Sequence, residues 1–241
     1  MHYRLLASLL PIGLIVATAS AQPAPVGSPG AGPTGATYGG TGIPNDHLMN
    51  GGANGVMLSL GAIARCVGDL PWDGAGTFFA SPGQYNPALG CNTPGSSNYA
   101  TWNFNFYVGG PTAGDYTYKL LMDIDPGTSV DMGQVAFLPG ALPALGGVYQ
   151  DSWNLGMLAP TGGCNPPLFE VCYAPPPTGS FDYNAPGVYS FDLAQIDEYG
   201  HTVADVAMNV NVTPEPATLV LLGTGLLGIA GVVRRRRRSS I

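Results

Sequence analysis

Three carboxylates offer the clearest chemistry in this chain. Asp123-Ile124-Asp125 is followed by a Pro126-Gly127 turn and then by Asp131. On an extended strand side chains alternate between faces, so Asp123 and Asp125 point the same way. Hard oxygen donors placed like this suit Ca²⁺. The spacing departs from an EF-hand loop: Thr128 stands where the sharp turn needs Gly, and Gln134 stands where a bidentate Glu closes the site. The favoured expectation is therefore a solvated strand end opening into a turn. Ca²⁺ is the one ion these residues could take, and no other cofactor is expected. Paired carboxylates also serve glycoside hydrolysis, but nothing nearby marks one of these as an acid with a raised pKa.

Other catalytic equipment is sparse. Between the two ends of the chain the only histidines are His47 and His201. His47 lies near a Gly/Pro-rich lead-in and His201 follows the Glu198–Gly200 turn, so each reads as an exposed polar residue rather than a base. There is no G-x-S-x-G elbow, P-loop or H-E-x-x-H helix. The four cysteines, Cys66, Cys91, Cys164 and Cys172, favour two disulfides if the body lies in an oxidising compartment. Three connectivities are open. Cys66–Cys91 with Cys164–Cys172 is preferred because neighbouring cysteines often staple local loops. A structural zinc site lacks its C-x-x-C spacing. These residues point to a protein that is not an enzyme.

The elements that must position these residues are strands. Trp102, Phe104, Phe106 and Val108 alternate with Thr101, Asn103, Asn105 and Tyr107. Tyr116, Tyr118, Leu120, Met122 and Ile124 share a face, as do Tyr189, Phe191 and Leu193, and then Ala204, Val206, Met208, Val210 and Val212. This period of two is the mark of half-buried strands. Shorter candidates are Val56–Leu60, Gln134–Leu138 and Val148–Asn154. Six to eight strands separated by Gly/Pro turns predict a mainly β fold, an antiparallel β-sandwich of Ig-like or jelly-roll-like kind spanning 56–212. Aromatic residues at this period mostly build such cores, although an exposed Tyr or Trp row could stack on sugar rings. Residues 22–55 read as a Gly/Pro-rich linker, disordered or extended over Gln22–Gly42.

Composition and charge narrow the setting. Charged residues make up only 10% of the chain, while it holds 36 Gly and 23 Pro; ordinary domains carry about 25% charged residues. Arg4 and the run Arg234, Arg235, Arg236, Arg237 and Arg238 hold most of the positive charge. Between the two apolar ends stand two basic residues, Arg65 and Lys119, against fourteen acidic ones, a net charge of −12. Such a body repels phosphates, so nucleic acid is not expected as a partner.

Residues 1–21 read as a secretory signal peptide: Arg4, an apolar stretch over Leu5–Val16, and the small-residue site Ala19-Ser20-Ala21 with cleavage before Gln22. That implies the Sec machinery as a partner during export. At the other end, Pro214-Glu215-Pro216 precedes Ala217–Val233, seventeen residues without a charge, and then the five arginines. A helix over 217–233 would span about 25 Å, short but workable for a bilayer, and its arginines would stay cytoplasmic. In this order the three elements resemble the PEP-CTERM sorting signal over 213–241. The resemblance implies a membrane-embedded cysteine transpeptidase, exosortase, that recognises Pro214, Glu215 and Pro216 and releases or transfers the body.

It further implies export from a Gram-negative-type cell, transient anchoring in the inner membrane, and a final place on the outer surface or in an exopolysaccharide or biofilm matrix. The segment from Ala185 to Leu193, with Asp115-Tyr116-Thr117-Tyr118 and Asp151-Ser152-Trp153-Asn154-Leu155-Gly156, resembles the bodies of PEP-CTERM proteins with no assigned activity. That likeness implies a fold and no reaction. The resulting expectation is a noncatalytic surface or matrix protein. A carbohydrate- or Ca²⁺-binding module is the first alternative and a secreted hydrolase the second.

Overall fold

The computed structural model describes residues 23–33, 46–86, 88, 99–126, 130–137, 147–157, 169–174 and 182–213. Twelve strands are found among them: β1 (Ser28–Gly30), β2 (Leu48–Gly51), β3 (Met57–Ala64), β4 (Gly68–Asp69), β5 (Thr77–Ala80), β6 (Trp102–Gly109), β7 (Thr117–Asp123), β8 (Gly133–Phe137), β9 (Val148–Trp153), β10 (Phe169–Ala174), β11 (Gly187–Ile196) and β12 (Thr202–Val212). They form two six-stranded sheets. The first runs β1-β2-β3-β6-β9, and the second runs β10-β8-β7-β11-β12-β5. Strand β4 pairs with Ile63 and Ala64 of β3, on the edge that β2 occupies over Leu58–Leu60. The alternation that predicts the strands also decides their faces. Trp102, Phe104, Phe106 and Val108 of β6 are buried, as are Tyr118, Leu120 and Met122 of β7 and Tyr189, Phe191 and Leu193 of β11.

These apolar faces meet in one core. Phe104 of the first sheet stacks on Phe191 of the second at 4.6 Å between ring centroids, and Phe106 lies 5.5 Å from Phe137. Trp102 meets Tyr189 and Phe191 edge-on. Burying each such ring contributes about 1.5–3 kcal/mol, with offset or edge contacts adding about 0.5–1.5 kcal/mol.

Two features depart from expectation. The fold is mainly β but not wholly antiparallel: β5 runs parallel to β12, with Thr77 opposite Asn209 and Ala80 opposite Val212. Alternation reports which face a residue takes and is silent on strand direction, so the sequence could not reveal this. Part of 22–55, expected as a linker, is instead built into the sheets. Val26 and Ala207 exchange backbone hydrogen bonds at 3.1 and 2.9 Å, and two residues later β1 pairs with β2 in the other sheet. The chain crosses between sheets at Gly27, whose φ is +118° and where a Cβ would come within 2.8 Å of the Asn50 carbonyl oxygen. Only glycine fits there.

No helix among the described residues is long and apolar enough to cross a membrane. The expected signal helix over 1–21 and transmembrane helix over 217–233 lie outside the described residues.

Candidate functional site

The carboxylates singled out by the sequence gather at the end of β7. The strand stops at Asp123, so the alternation that would set Asp125 beside it does not extend that far. Asp123 is fully buried, against the expectation of a solvated strand end, while Asp125 and Asp131 are partly exposed. Neither Asp123 oxygen finds a hydrogen-bond partner of good geometry. Burial is the main cause that pushes its carboxyl up to about 6. The negative charges of Asp125 and Asp131 add to this, and the nearby backbone N–H groups of the same two residues oppose it. A second, half-buried carboxyl, Asp192 on β11, is likewise pushed up to about 6, by its partial burial first and by Asp205 second. Among the described residues no group of three or more His, Cys, Asp or Glu is placed to hold a metal ion.

Across the sheet from Asp123 lies Ser190, and beyond it Asn209, whose side-chain amide donates to the Pro23 carbonyl at 3.0 Å. The N-terminal segment is thus tied to the cross-strand row that holds Asp123. The Tyr189 hydroxyl sits between the carbonyls of Asp182 and Ala185 at 3.2 and 3.0 Å, pinning the turn that leads into β11.

A different polar arrangement occupies the β6–β9 end of the first sheet. The Asn154 amide donates to the carbonyls of Ala100 and Trp102 and to Asn103 Oδ1, at 3.0, 2.8 and 2.9 Å. Its Oδ1 accepts from the N–H groups of Ala100 and Gly156 at 2.8 and 3.0 Å. Asn103 then donates to Ser152 Oγ and accepts from Arg65 Nη1. Arg65 is 6% exposed. Burial lowers its pKa, and the tyrosines Tyr99 and Tyr85 oppose that shift. Its guanidinium lies 4.6 Å from the ring centroid of Tyr99 and 5.1 Å from that of Tyr85. Sequence reasoning missed this constellation. Its only sequence signal was that Arg65 is one of two cations in a strongly acidic body.

Cys66, in the turn between β3 and β4, is disulfide-bonded. Its partner is not among the described side chains. Cys91 and Cys164 lie outside the described residues, as does the side chain of Cys172. His47 is half-buried, stacked on Trp72 at 4.7 Å with Asp69 at 3.8 Å. His201 is exposed, and its backbone N–H donates to the Asp197 carboxylate.

Strand β12 ends at Val212, and the next N–H, of Thr213, donates to the Ala80 carbonyl at 3.0 Å. The body is therefore hydrogen-bonded up to the residue before Pro214. Residues 212–238 match the PEP-CTERM protein-sorting motif. The chain carries a PEP-CTERM sorting signal. No curated protein matches the chain, and no solved structure does.

The PEP-CTERM motif marks an exported protein that exosortase processes at the membrane on its way to the surface. Pro214, Glu215, Pro216 and Arg234 to Arg238 fall within the match but lie outside the described residues, as do Ala19, Ala21 and Gln22 at the expected signal-peptide cleavage site.

Proposed function

We propose that this chain is a noncatalytic surface or matrix protein, whose folded body is the cargo that the PEP-CTERM signal delivers. The observation that carries the reading is continuity: the matched segment begins on the last residue of β12, and Thr213 is still bonded to the sheet. Only a few residues separate the folded body from the apolar segment, and an extended chain covers about 3.5 Å per residue. Processing near Pro214–Pro216 would release a body that keeps its last strand whole. Its fold is read as a β-sandwich of Ig-like or jelly-roll-like kind, its cysteines as two disulfides, and its destination as an exopolysaccharide-containing matrix.

Terminal peptides of the protein purified from its host's envelope and medium test the reading. A mature form running from Gln22 to near Pro214–Pro216 is expected, with the 217–233 segment absent. If peptides from that segment persist in the mature pool, the tail is a permanent anchor. Flat results against polysaccharide, ester and peptide substrates are expected, and turnover of any one would move the chain to the hydrolases. A second reading, a binding module, is favoured by the Arg65 constellation. Its Ca²⁺ form predicts a melting temperature that rises with added calcium.

A further inference from the structure

Beside Arg65 the fold holds a cavity of about 510 Å³, within the range of roughly 300–1,000 Å³ typical of small-ligand sites. Arg65, Tyr85, Gln84, Asn86, Ser81 and Thr101 line it, with an apolar floor from the turn and strands around Leu70. Arg65 is held in place before any ligand arrives: two tyrosine rings flank its guanidinium, and Nη1 donates to Asn103 Oδ1 at 3.2 Å. Asn103 is itself fixed by Asn154 and Ser152. A cation ordered by its neighbours loses little conformational freedom when it binds.

The charge pattern selects the ligand. Arg65 and Lys119 are the only cations between the apolar ends, against fourteen acidic residues, and Lys119 lies on β7 in the other sheet. An extended polyanion would be repelled along most of this body, whereas one carboxylate reaching the cavity meets a positive wall. The Gln84 amide and the Ser81 hydroxyl supply both donors and acceptors. The Asn86 N–H₂ adds a donor while its Oδ1 accepts from the Ala88 N–H, and the Thr101 oxygen adds an acceptor while its O–H donates to the Ser81 carbonyl. That combination matches a ring bearing several hydroxyls, and the apolar floor matches the C–H face of such a ring. We propose that this cavity binds a carboxylate-bearing sugar, as a single uronic-acid unit or the end of a short acidic oligosaccharide. The inference rests on the reading of the body as a surface module that binds rather than reacts.

Calorimetric titration of the mature exported protein with a galacturonic-acid trisaccharide, and with maltotriose as the uncharged control, tests it. The acidic sugar is expected to bind about tenfold more tightly or better, and the preference should shrink in about 1 M salt, where the Debye length is about 3 Å. Arg65→Lys loses the planar fork and should weaken acidic-sugar binding by about tenfold or more. Asn86 is exposed at the rim, so Asn86→Trp should block the cavity with little change in melting temperature, and it serves if the Arg65 variant fails to fold. Equal affinity for the two sugars, no binding, or wild-type binding by Asn86→Trp would overturn the proposal. The trisaccharide is recovered and sized after each titration. If it is bound and cleaved, the site stands and the noncatalytic reading falls. If it is neither bound nor cleaved, the site falls and that reading stands.

Discussion

The two sheets of this body treat buried polar groups in opposite ways at the same end of the fold, where Trp102 beside Asn154 packs on Tyr189, the neighbour of Asp123's partner Ser190. Next to β6 and β9, Asn154 makes five hydrogen bonds to backbone and side-chain partners, so nothing polar that it touches is left unanswered. On β7, Asp123 is as deeply buried and has no partner of good geometry on either oxygen. A satisfied amide buried in this way locks strands together and is indifferent to pH. An unsatisfied carboxyl carries a standing desolvation cost that depends on its protonation. The first cluster is built for rigidity, and the second is where stability responds to conditions.

Removing Asn154 should give the largest effect. Asn154→Ala strands the Ala100 N–H and the carbonyls of Ala100 and Trp102 in the interior, and unpaired buried groups cost about 1–3 kcal/mol each. A loss on the order of 4 kcal/mol is expected, read as a lower urea midpoint at unchanged slope. Asn154→Asp removes the donors while keeping the acceptor and should be nearly as damaging. A loss below about 1 kcal/mol would show that the network is decoration.

Asp123→Asn should move stability the other way. In the folded state the carboxyls of Asp123 and Asp192 sit at about 6, above the ordinary value near 3.8. The folded protein therefore holds protons that the unfolded chain has already released. Stability is highest below about pH 4 as far as these groups are concerned, and it falls as pH rises from there through about 6. A shift of this size is worth on the order of 3 kcal/mol per group. Asp123→Asn should raise the melting temperature near pH 7, leave it almost unchanged near pH 4, and flatten the slope between. Melting across this range checks it. A variant less stable than the parent at neutral pH would mean that the ionised carboxylate has a partner, with added Ca²⁺ the first to try.

How much of this contrast the sequence discloses follows from what alternation encodes. The long strands β6, β7, β11 and β12 announce themselves because their core faces are unbroken rows of large apolar residues. The short β1, with Ser28-Pro29-Gly30, and β4, with Gly68-Asp69, have too few side chains to show a period and exist because a neighbouring edge is open to them. Asp123 and Asp125 alternate correctly on paper, but pairing with β11 ends at Asp123 opposite Ser190, and partner geometry is invisible in a single chain. The Arg65 site fails for a related reason. Its tyrosines, Tyr85 and Tyr99, come from outside the strands and are gathered by tertiary packing alone. Asn154 was legible as the end of the candidate strand Val148–Asn154 and as part of a segment resembling other PEP-CTERM bodies, and its hydrogen bonds supply the physical reason for an asparagine there.

The smallest expected effect probes what keeps Asp123 dry. Gly187 opens β11 with a φ of +148°, and a Cβ there would run into the Cβ of Pro126, the residue after Asp125. Gly187→Ala must push Pro126 away, at a cost of about 1–3 kcal/mol for the disfavoured backbone region and the contact together. If Pro126 shields Asp123, displacing it admits water and lets the carboxyl fall back toward its ordinary value. The variant should then lose stability most at low pH and least near neutrality, because rehydrating an ionised carboxylate offsets part of the strain. Comparing its melting profile with that of Asp123→Asn separates the two contributions. A uniform loss at every pH would mean that Asp123 is covered by something other than Pro126, and the contrast between the two sheets would then rest on the strands alone.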